Sequence, residues 1–384
     1  MTKSTVFDLF IVYSQRLAES PVTDVLKPFP KGSSCESYNN VYSYFLEICR
    51  KNGLKAAFTT SADIVGPGLC RGYWLFQNDQ WLKVSQKGYA KLIFDKFSPV
   101  NRQIKTKRAL LFSLAKVRPF NNPKLFELFF DKQKSYKKLS KFSIPTVSIE
   151  KKTQVGFLNA YKSLQRIIAR HPDKADFSDE LIVKDRFGAG GLNVFKFKAN
   201  ELEKITASIN KCSRKSFIIQ PFVKFDRGLS YLGVPVSADI RLIYLGGKIV
   251  QTYLRMAKTG DFRCNEHQGG LLKYIAKKNI HQAVTKVADQ VAKKLNQKRS
   301  LFALDFIISN YGNVYLLEGN TGPGLDWNLS IKENELESKK LIRLVVKEIA
   351  NRTVNRKGDR KIEQILPKTD EYSEITGLPI AAVI

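Results

Sequence analysis

The sequence predicts a mixed α+β protein of two or three domains. Its 384 residues suffice for that number at about 150 residues per domain. Short apolar runs typical of strands alternate with amphipathic runs typical of helices over most of the chain. Hydrophobic residues make up 43% and charged residues 26%, which is ordinary for a globular protein. The composition therefore excludes disorder along the whole chain and favours a sizeable core.

The first hundred residues open with a strand–helix–strand pattern. Val6–Val12 is an apolar run with β character, and Val41–Ile48 has apolar residues at helical spacing. Asn52-Gly53 is a helix stop, after which Leu54–Thr60 is typical of a second strand. This pattern predicts a small α/β domain at the start of the chain.

Aromatic-rich strands follow this opening pattern. Tyr73–Phe76 and Trp81–Val84 are separated by the four residues 77–80, which we expect to form a hairpin connection. Lys91–Phe94 is typical of a further strand. A basic stretch then begins, and we expect it to be helical over residues 106–116 and 122–141.

The rest of the chain alternates between strand and helix patterns after a break at Ile144-Pro145-Thr146. An amphipathic helix is expected at Ile280–Leu295 and another at Glu337–Asn351. Leu301–Ser309 and Val314–Glu318 are expected to pair as two strands joined by a four-residue turn. The other predicted strands are Leu181–Lys184, Val194–Phe197, Phe217–Gln220, Ile240–Leu245 and Ile249–Leu254.

The charge of the chain is strongly basic, with a formal net charge of +29. Residues 101–142 hold 12 basic and 2 acidic residues, so this short segment carries +10. Such a surplus indicates an anionic partner, whether phosphate, acidic peptide, nucleic acid or membrane surface. High lysine usage can also follow from the base composition of the source genome.

Several classes of protein are excluded by sequence patterns. No apolar run approaches the ~20 residues that span a bilayer, and the N-terminal stretch is a poor signal peptide because it holds a Lys and an Asp. The five cysteines show no CxxC spacing, so they predict neither a disulfide framework nor a zinc site. We expect reduced thiols in a cytoplasmic protein with no membrane partner.

A lysine and a glycine-rich turn form the first candidate site. Lys184 ends a predicted strand and is followed by Gly188, Ala189, Gly190 and Gly191. Glycines let backbone N–H groups wrap phosphate oxygens, and the lysine adds a point charge. The spacing matches neither a P-loop nor a dinucleotide fingerprint, so a plain hairpin turn is the alternative interpretation.

Three oxygen-bearing side chains form the second candidate site. Asp305 lies inside an apolar strand, Glu318 ends the next strand, and Asn320 follows. If the two strands pair, both acids reach one face at the same end. Hard oxygen ligands suit Mg²⁺, and a buried acid needs a charged partner or a metal. The alternative interpretation is a solvated acid at the end of a strand.

Cationic residues cluster in and after two consecutive strands. Arginine presents a planar fork that suits phosphate or carboxylate oxygens. The alternative interpretation is an exposed, solvated strand face. The members of this cluster are Arg241, Arg255, Lys258, Arg263 and the neighbouring Asn265.

The order and spacing of three motifs carry a family resemblance. The first starts at Asp131-Lys132, the second runs from Asp239-Ile240-Arg241 to Gly269-Gly270, and the third includes Leu304-Asp305-Phe306 and residues 317–324. Together they resemble the ATP-grasp superfamily, and most closely the RimK-type peptide ligases, which add glutamate to protein or peptide carboxylates. The resemblance covers about residues 131–350.

The resemblance implies an α+β ATP-grasp fold in which two α+β subdomains hold ATP between them. A small α/β pre-ATP-grasp domain would precede them. The implied division is a pre-ATP-grasp-like domain with a basic connector over residues 1–130, an N-subdomain over 131–225, a C-subdomain over 226–352 and a tail over 353–384.

The resemblance also implies roles for individual residues. Lys132 and Lys184 would contact the nucleotide phosphates under the loop 188–191, and Asp239 would lie near the ribose. Pro221 stands where the family often has Glu, so a carbonyl contact with adenine is kept and a side-chain contact is lost. The strand that recognises adenine would comprise Gln220, Pro221, Phe222 and Val223. The triphosphate and an acyl-phosphate would be contacted by Arg241, Arg255, Lys258, Arg263 and Asn265. One or two Mg²⁺ or Mn²⁺ ions would be bound by Asp305, Glu318 and Asn320.

The activity implied by the resemblance is ATP-dependent ligation of a carboxylate to an amine through an acyl-phosphate. The carboxylate would belong to an amino acid or peptide. An ATP-grasp kinase that phosphorylates a hydroxyl, a basic nucleic-acid-binding protein and a degenerate ATP-binding relative are the alternatives. The basic surface could also guide an acidic protein or an RNA-linked substrate to a ligase. Variable loops at Asp226–Ser237 and Asp326–Glu333 are candidates for substrate specificity, and the oligomeric state stays open.

Overall fold

The computed structural model describes residues 4–325 and 331–354. The strands of these residues form an eight-stranded sheet, a four-stranded sheet, a five-stranded sheet and a separate two-stranded hairpin. No helix within the described ranges is long and apolar enough to span a membrane.

The N-terminal part of the chain contains the eight-stranded sheet. Its elements are β1 (Thr5–Tyr13), α1 (Tyr38–Lys51), β2 (Ala56–Thr60), β3 (Ile64–Gly66), β4 (Leu69–Cys70), β5 (Tyr73–Gln77), β6 (Gln80–Val84), β7 (Gly88–Lys96), α2 (Arg102–Leu111) and β8 (Arg118–Pro119). The strand order is β3-β4-β7-β1-β2-β5-β6, with β8 also paired to β7. The pairs of β1 with β2 and β7 are parallel, so the predicted α/β opening is confirmed.

Helices cover both faces of this sheet. On one face, Phe45 of α1 packs with Leu9 and Ile11 of β1. On the other face, Ile104 of α2 packs with Phe10 of β1. Successive side chains of a strand point to opposite faces, which is why one continuous apolar strand can serve both cores.

The hairpin of β5 and β6 differs from the sequence prediction. Gln77 and Gln80 are paired across the hairpin, so the connection has two residues rather than four. Asn78 and Asp79 both adopt positive φ values, +49° and +58°. Asparagine and aspartate tolerate this conformation, which matches the twist of the flanking strands.

The predicted helix over 122–141 is also wrong, because two helices occupy this segment. Asp131 has extended backbone angles and its side chain accepts hydrogen bonds from the backbone N–H groups of Gln133 and Lys134. An aspartate that caps a new helix in this way ends the preceding one. The first predicted helix, 106–116, is instead α2, which ends at Leu111.

The middle of the chain builds the four-stranded sheet. Its elements are α3 (Pro123–Phe130), α4 (Lys132–Leu139), β9 (Val147–Ile149), α5 (Gln154–Ala169), β10 (Phe177–Asp185), β11 (Val194–Lys198), α6 (Leu202–Lys211) and β12 (Phe217–Val223). The order is β11-β10-β12-β9, and every pairing in it is antiparallel. Phe157 of α5 and Ile205 of α6 pack on one face with Val183 of β10.

The five-stranded sheet follows. Its part of the chain contains β13 (Leu229–Tyr231), β14 (Val234–Val236), β15 (Ala238–Leu245), β16 (Lys248–Met256), β17 (Leu271–Tyr274), α7 (Gln282–Leu295), β18 (Phe302–Ile308), β19 (Val314–Asn320) and α8 (Lys332–Val354). β13 and β14 form the separate hairpin, and the sheet order is β17-β16-β15-β18-β19, all antiparallel.

The two faces of the five-stranded sheet have different partners. Leu242 and Leu304 pack under α7 with Val284 and Val291. On the opposite face, residues such as Ile243 share a core with the N-terminal sheet and with α8. One end of that face is therefore buried against the N-terminal sheet, while its other end faces the cleft described below.

Two sequence predictions fall at least partly outside the described residues. Residues 355–384 of the predicted tail lie outside them, as do residues 326–330 of the candidate specificity loop. The division into residues 1–130, 131–225, 226–352 and 353–384 stays a prediction.

Candidate functional site

A cleft with about 890 Å³ of empty space lies between the four-stranded and five-stranded sheets. Most of the site residues predicted from the sequence line it. These are Lys132, Lys184, Gly188, Ala189, Gly191, Gln220, Pro221, Phe222, Val223, Asp239, Arg255, Arg263, Asn265, Asp305 and Glu318. The fold thus brings together side chains that are up to 186 residues apart in sequence, from Lys132 to Glu318.

Two lysines and a glutamate meet in this cleft. Lys132 begins α4, and Lys184 lies near the end of β10. Burial, together with the positive charge of Lys132, lowers the pKa of Lys184 from 10.5 to about 8, while Glu318 opposes the shift. Two like charges in a partly buried site repel each other unless an anion lies between or beside them. The pair is therefore arranged for an anionic ligand.

The glycine-rich turn reaches across the cleft. Gly190 and Gly191 have φ values of +68° and +73°, which favour glycine over residues with a Cβ. A Cβ on Gly191 would lie 2.7 Å from Oδ1 of Asn265. Nε2 of Gln268 donates to the Gly190 carbonyl at 3.3 Å. The turn thus contacts the loop that follows β16 and covers part of the cleft.

The base of the glycine turn is anchored to the start of α4. Arg186 donates from Nε and Nη2 to the two carboxylate oxygens of Asp131 at 2.7 and 2.6 Å. Burial opposes ionisation of Asp131, but Arg186 and two backbone N–H groups hold the pKa of this carboxyl below its usual value. Nζ of Lys132 donates to the Gly188 carbonyl. The helix start and the turn are therefore held together.

A buried network of two arginines and two aspartates lies on the cleft face of the five-stranded sheet. Arg241 donates to both oxygens of Asp305, from Nε at 2.6 Å and from Nη2 at 2.5 Å. Arg255 donates to both oxygens of Asp239 at 2.7 and 2.9 Å and also to Oδ2 of Asp305 at 2.7 Å. Burial alone would raise the pKa of Asp305, but Arg241 and Arg255 hold it below the usual value. The four charges cancel, which makes their burial tolerable.

The residues predicted to bind metal lie at one end of this network. The pairing of β18 and β19 places Glu318 opposite Asp305, so the predicted juxtaposition of the two acids is confirmed. Oδ1 of Asn320 accepts from the backbone N–H of Gly322 at 2.8 Å. No group of three or more His, Cys, Asp or Glu side chains suited to a metal occurs within residues 4–325 and 331–354.

The donor set at this end fits Mg²⁺ only in part. Both oxygens of Asp305 already accept from arginines. Glu318 makes no hydrogen bond or ion pair with the described part of the chain, and it lines the cleft. Mg²⁺ is commonly held by one or two carboxylates together with waters and substrate phosphates. Glu318, with Asn320 nearby, suits that mode, and the metal role of Asp305 stays a prediction.

Apolar side chains form the other end of the cleft. Ile182, Phe222 and Val223 approach from the four-stranded sheet, and Ile307 and Leu317 from the five-stranded sheet. Such a slot can hold a flat, weakly polar group by dispersion and burial. The sequence alone did not predict a site role for Ile182, Ile307 and Leu317, because apolar residues inside strands resemble core residues.

Polar contacts orient the edge of this slot. Nε2 of Gln220 donates to the Thr146 hydroxyl at 2.7 Å, and the Ser178 hydroxyl donates to the Phe222 carbonyl at 3.0 Å. Pro221 has no N–H to offer a ligand. A ligand can therefore form hydrogen bonds with the backbone of this strand only through its carbonyls and the N–H groups of the other residues.

Four predicted site residues do not line the cleft. Lys258 is exposed and Gly190 lies within the turn that covers the cleft. Arg241 is buried behind the cleft against Asp305 and the hydroxyl of Tyr253. Asn320 lies beyond Glu318 on β19. The roles of all the predicted residues stay predictions.

Comparison with known proteins agrees with this geometry. A family profile described as the RimK-like ATP-grasp domain matches residues 130–344, more than half of the chain. A probable alpha-L-glutamate ligase of Hydrogenovibrio crunogenus is 32% identical over 113 residues, which cover 29% of this chain and 33% of that relative. The chain thus matches about a third of the length of this curated relative.

Solved structures show the same fold. D-cycloserine synthetase DcsG superimposes with a TM-score of 0.55 at 15% identity and covers 91% of this chain and 99% of its own. The ATP-grasp ligase PsnB, in complex with a phosphomimetic variant of its minimal precursor, Mg and ADP, gives a TM-score of 0.52 at 12% identity. It covers 91% of this chain and 100% of its own. The predicted α+β ATP-grasp fold is confirmed.

Proposed function

The chain belongs to the RimK-like ATP-grasp family, and on that premise we propose that it is an ATP-dependent ligase that joins a carboxylate to an amine. One observation carries the proposal. Lys132 and Lys184 face the same cleft, and the pKa of Lys184 is lowered to about 8 because the site is partly buried and already positive. The negative charges of a nucleoside triphosphate would relieve that repulsion.

The proposed position of the nucleotide follows from the two ends of the cleft. The apolar slot around Phe222 would hold the base, and the two lysines would hold the phosphates under the glycine turn. Backbone N–H groups of such a turn suit phosphate oxygens. Mg²⁺, when bound beside Glu318, would neutralise phosphate charge and polarise the transferred group.

Arg255 is suited to stabilise the transferred phosphoryl group. Its Nε and Nη2 are fixed by Asp239 and Asp305, so the guanidinium cannot swing, and the residue lines the cleft. A donor fixed in advance costs no reorganisation when charge develops. In the proposed reaction the substrate carboxylate attacks the γ-phosphate and ADP leaves. An amine then attacks the acyl-phosphate, phosphate leaves, and the amine loses a proton.

Glutamate is the amine substrate that we propose. The support is that similar curated proteins, including that of Hydrogenovibrio crunogenus, are probable alpha-L-glutamate ligases. The carboxylate would belong to an amino acid or peptide, and the complex of the ATP-grasp ligase PsnB with its precursor peptide supports a peptide. We retain an acidic protein or RNA-linked substrate as a proposal that rests on surface charge.

Part of that surface charge lies on α4 and on the residues after it. Lys134, Lys137, Lys138 and Lys141 are exposed and make no ion pair with any described residue. If they attract an acidic substrate, the KM of that substrate rises with salt, because exposed charges are screened. A KM independent of salt would contradict this part of the proposal.

Phosphate release and hydroxamate formation test the ligase proposal. Purified protein with Mg-ATP is screened for phosphate release across amino acids and acidic peptides, and hydroxylamine is added to trap an acyl-phosphate. Glu318→Ala and Lys184→Ala are each expected to abolish the stimulated turnover. Lys211→Ala, at an exposed position of α6, is the matched control and keeps it. Full activity in either cleft variant contradicts the site.

A further inference from the structure

The order of the strands in the N-terminal sheet reverses at the carboxyl ends of β1 and β7. The two strands are parallel neighbours, and Tyr13 at the end of β1 is paired with Lys96 at the end of β7. From β1 the chain passes through α1 to β2, whereas from β7 it passes through α2 to β8 on the other side. Ligands of open α/β sheets bind at such a reversal of strand order.

The side chain of Lys96, at this edge of the N-terminal sheet, points toward the five-stranded sheet. Because side chains alternate along a strand, Lys96 shares a face with Phe94, which packs in one core with Ile243 and Ala303 of the five-stranded sheet. Asp95 points to the opposite face, where it forms an ion pair with Arg108 of α2. The acid next to Lys96 in sequence is thus already neutralised elsewhere.

Lys96 is half-buried and has neither a hydrogen bond nor an ion pair with the chain over residues 4–325 and 331–354. Its Nζ approaches the loop after β19. A Cβ placed on Gly322 would lie 3.8 Å from that Nζ and 4.0 Å from Oδ1 of Asn320. Asn320 is two residues beyond Glu318 on the same strand, so both side chains share a face. The cation therefore lies just past the Glu318 end of the cleft.

We propose that Lys96 anchors a subsite for the α-carboxylate of the amino-acid substrate, a group that does not take part in the reaction. This inference rests on the proposed ligase function. A partly buried ammonium gains from a carboxylate ligand, and none of the residues that the structure describes supplies one. The nucleotide phosphates have Lys132 and Lys184 in the cleft, which Lys96 does not line. An amino acid held by its carboxylate at Lys96 would present its amine toward the Glu318 end.

Binding of L-glutamate and of its α-amide, measured by calorimetry with and without Mg-ADP, tests the subsite. Lys96→Ala is expected to weaken L-glutamate binding roughly tenfold or more, because a charge-assisted hydrogen bond typically contributes that much to affinity. It is expected to leave the ADP affinity and the weak α-amide binding unchanged. Lys96→Arg restores part of the glutamate affinity. Lys91→Ala, at an exposed position of the same strand, is the control.

The outcomes separate the subsite from the ligase proposal. Unchanged glutamate binding in Lys96→Ala overturns the subsite, as does a wild-type protein that binds neither compound. A loss of ADP affinity in Lys96→Ala also overturns it, because the lysine then belongs to the nucleotide. A wild-type protein that binds glutamate through Lys96 but never binds Mg-ADP overturns the ligase proposal and leaves the subsite standing. Thermal unfolding of each variant confirms that it is folded.

Discussion

The affinity of the cleft for ADP is expected to fall about tenfold between pH 7 and pH 9. The perturbed group is Lys184, whose pKa is lowered to about 8 by burial and by the charge of Lys132. If only charged Lys184 binds the phosphates, the dissociation constant grows in proportion to 1 + 10^(pH − 8). The charged fraction drops from about nine-tenths at pH 7 to about one-tenth at pH 9. Binding near pH 8 should therefore take up about half a proton.

Isothermal titration calorimetry in buffers of different ionisation enthalpy measures both the affinity and the proton uptake. Lys184→Gln should bind ADP weakly, with the pH-dependent step lost. Lys132→Gln removes the like charge that lowers the pKa of Lys184, so its step should move to higher pH. A wild-type profile that is flat from pH 7 to pH 9, or an unmoved step in Lys132→Gln, would refute the reasoning.

The same shift has the opposite sign for folding. The pKa of Lys184 is lower in the folded chain, about 8, than its ordinary value of 10.5, so the unfolded chain binds more protons between these values. Its contribution to stability therefore rises as the pH increases through that window. Bound nucleotide, which favours the charged lysine, should diminish this rise.

Three further predictions concern the arginine–aspartate network, the glycine turn and a contact between β19 and the segment before β10. Asp305→Asn removes the charge shared by Arg241 and Arg255 and should lower the free energy of unfolding in urea by about 3 kcal/mol. The control Asp179→Asn, at an exposed position, should change it by less than about 0.5 kcal/mol. Equal effects of the two variants would contradict the role of the network. Gly191→Ala should weaken ADP binding, because its Cβ would meet Asn265 at 2.7 Å. Gly233→Ala has a similar φ, +80°, and no atom within 4 Å, so comparable losses in the two variants would show that the contact is unimportant. Tyr315→Phe removes a 2.5 Å hydrogen bond to buried Asp176 and should lower the free energy of unfolding by about 1 to 3 kcal/mol. The control Tyr311→Phe, at an exposed position, should change it little. An unchanged unfolding midpoint for Tyr315→Phe would contradict this prediction.

Short apolar runs and periodicity predicted the strands of five or more residues and most of the long helices, but not the shorter strands such as β3 and β13. The predicted strand Leu301–Ser309 is β18, Phe302–Ile308, and the predicted partner Val314–Glu318 is β19, Val314–Asn320. The predicted ends of helices were wrong where a single side chain determines them. Asp131 caps α4 with its own carboxylate, which amphipathic spacing cannot reveal.

Asp305 could be predicted as a candidate site residue because a charge inside an apolar strand is conspicuous. Its position opposite Glu318 could also be predicted, because the two strands form a simple hairpin. Its two arginine partners did not follow, because they depend on the register of β15 and β16 beside β18. Lys96 belongs to no sequence motif. Its proposed role depends on the fold, which places its Nζ beside Gly322 in the loop after β19.

The central claim, a ligase that works through an acyl-phosphate, is tested most directly by following oxygen from the substrate carboxylate. L-Glutamyl-L-glutamate with ¹⁸O in its carboxylates is incubated with Mg-ATP and L-glutamate, and the released phosphate is examined by mass spectrometry. An acyl-phosphate predicts one ¹⁸O in each phosphate released together with the ligated product. Unlabelled phosphate alongside ADP, or a stable phosphorylated product without condensation, would contradict the claim.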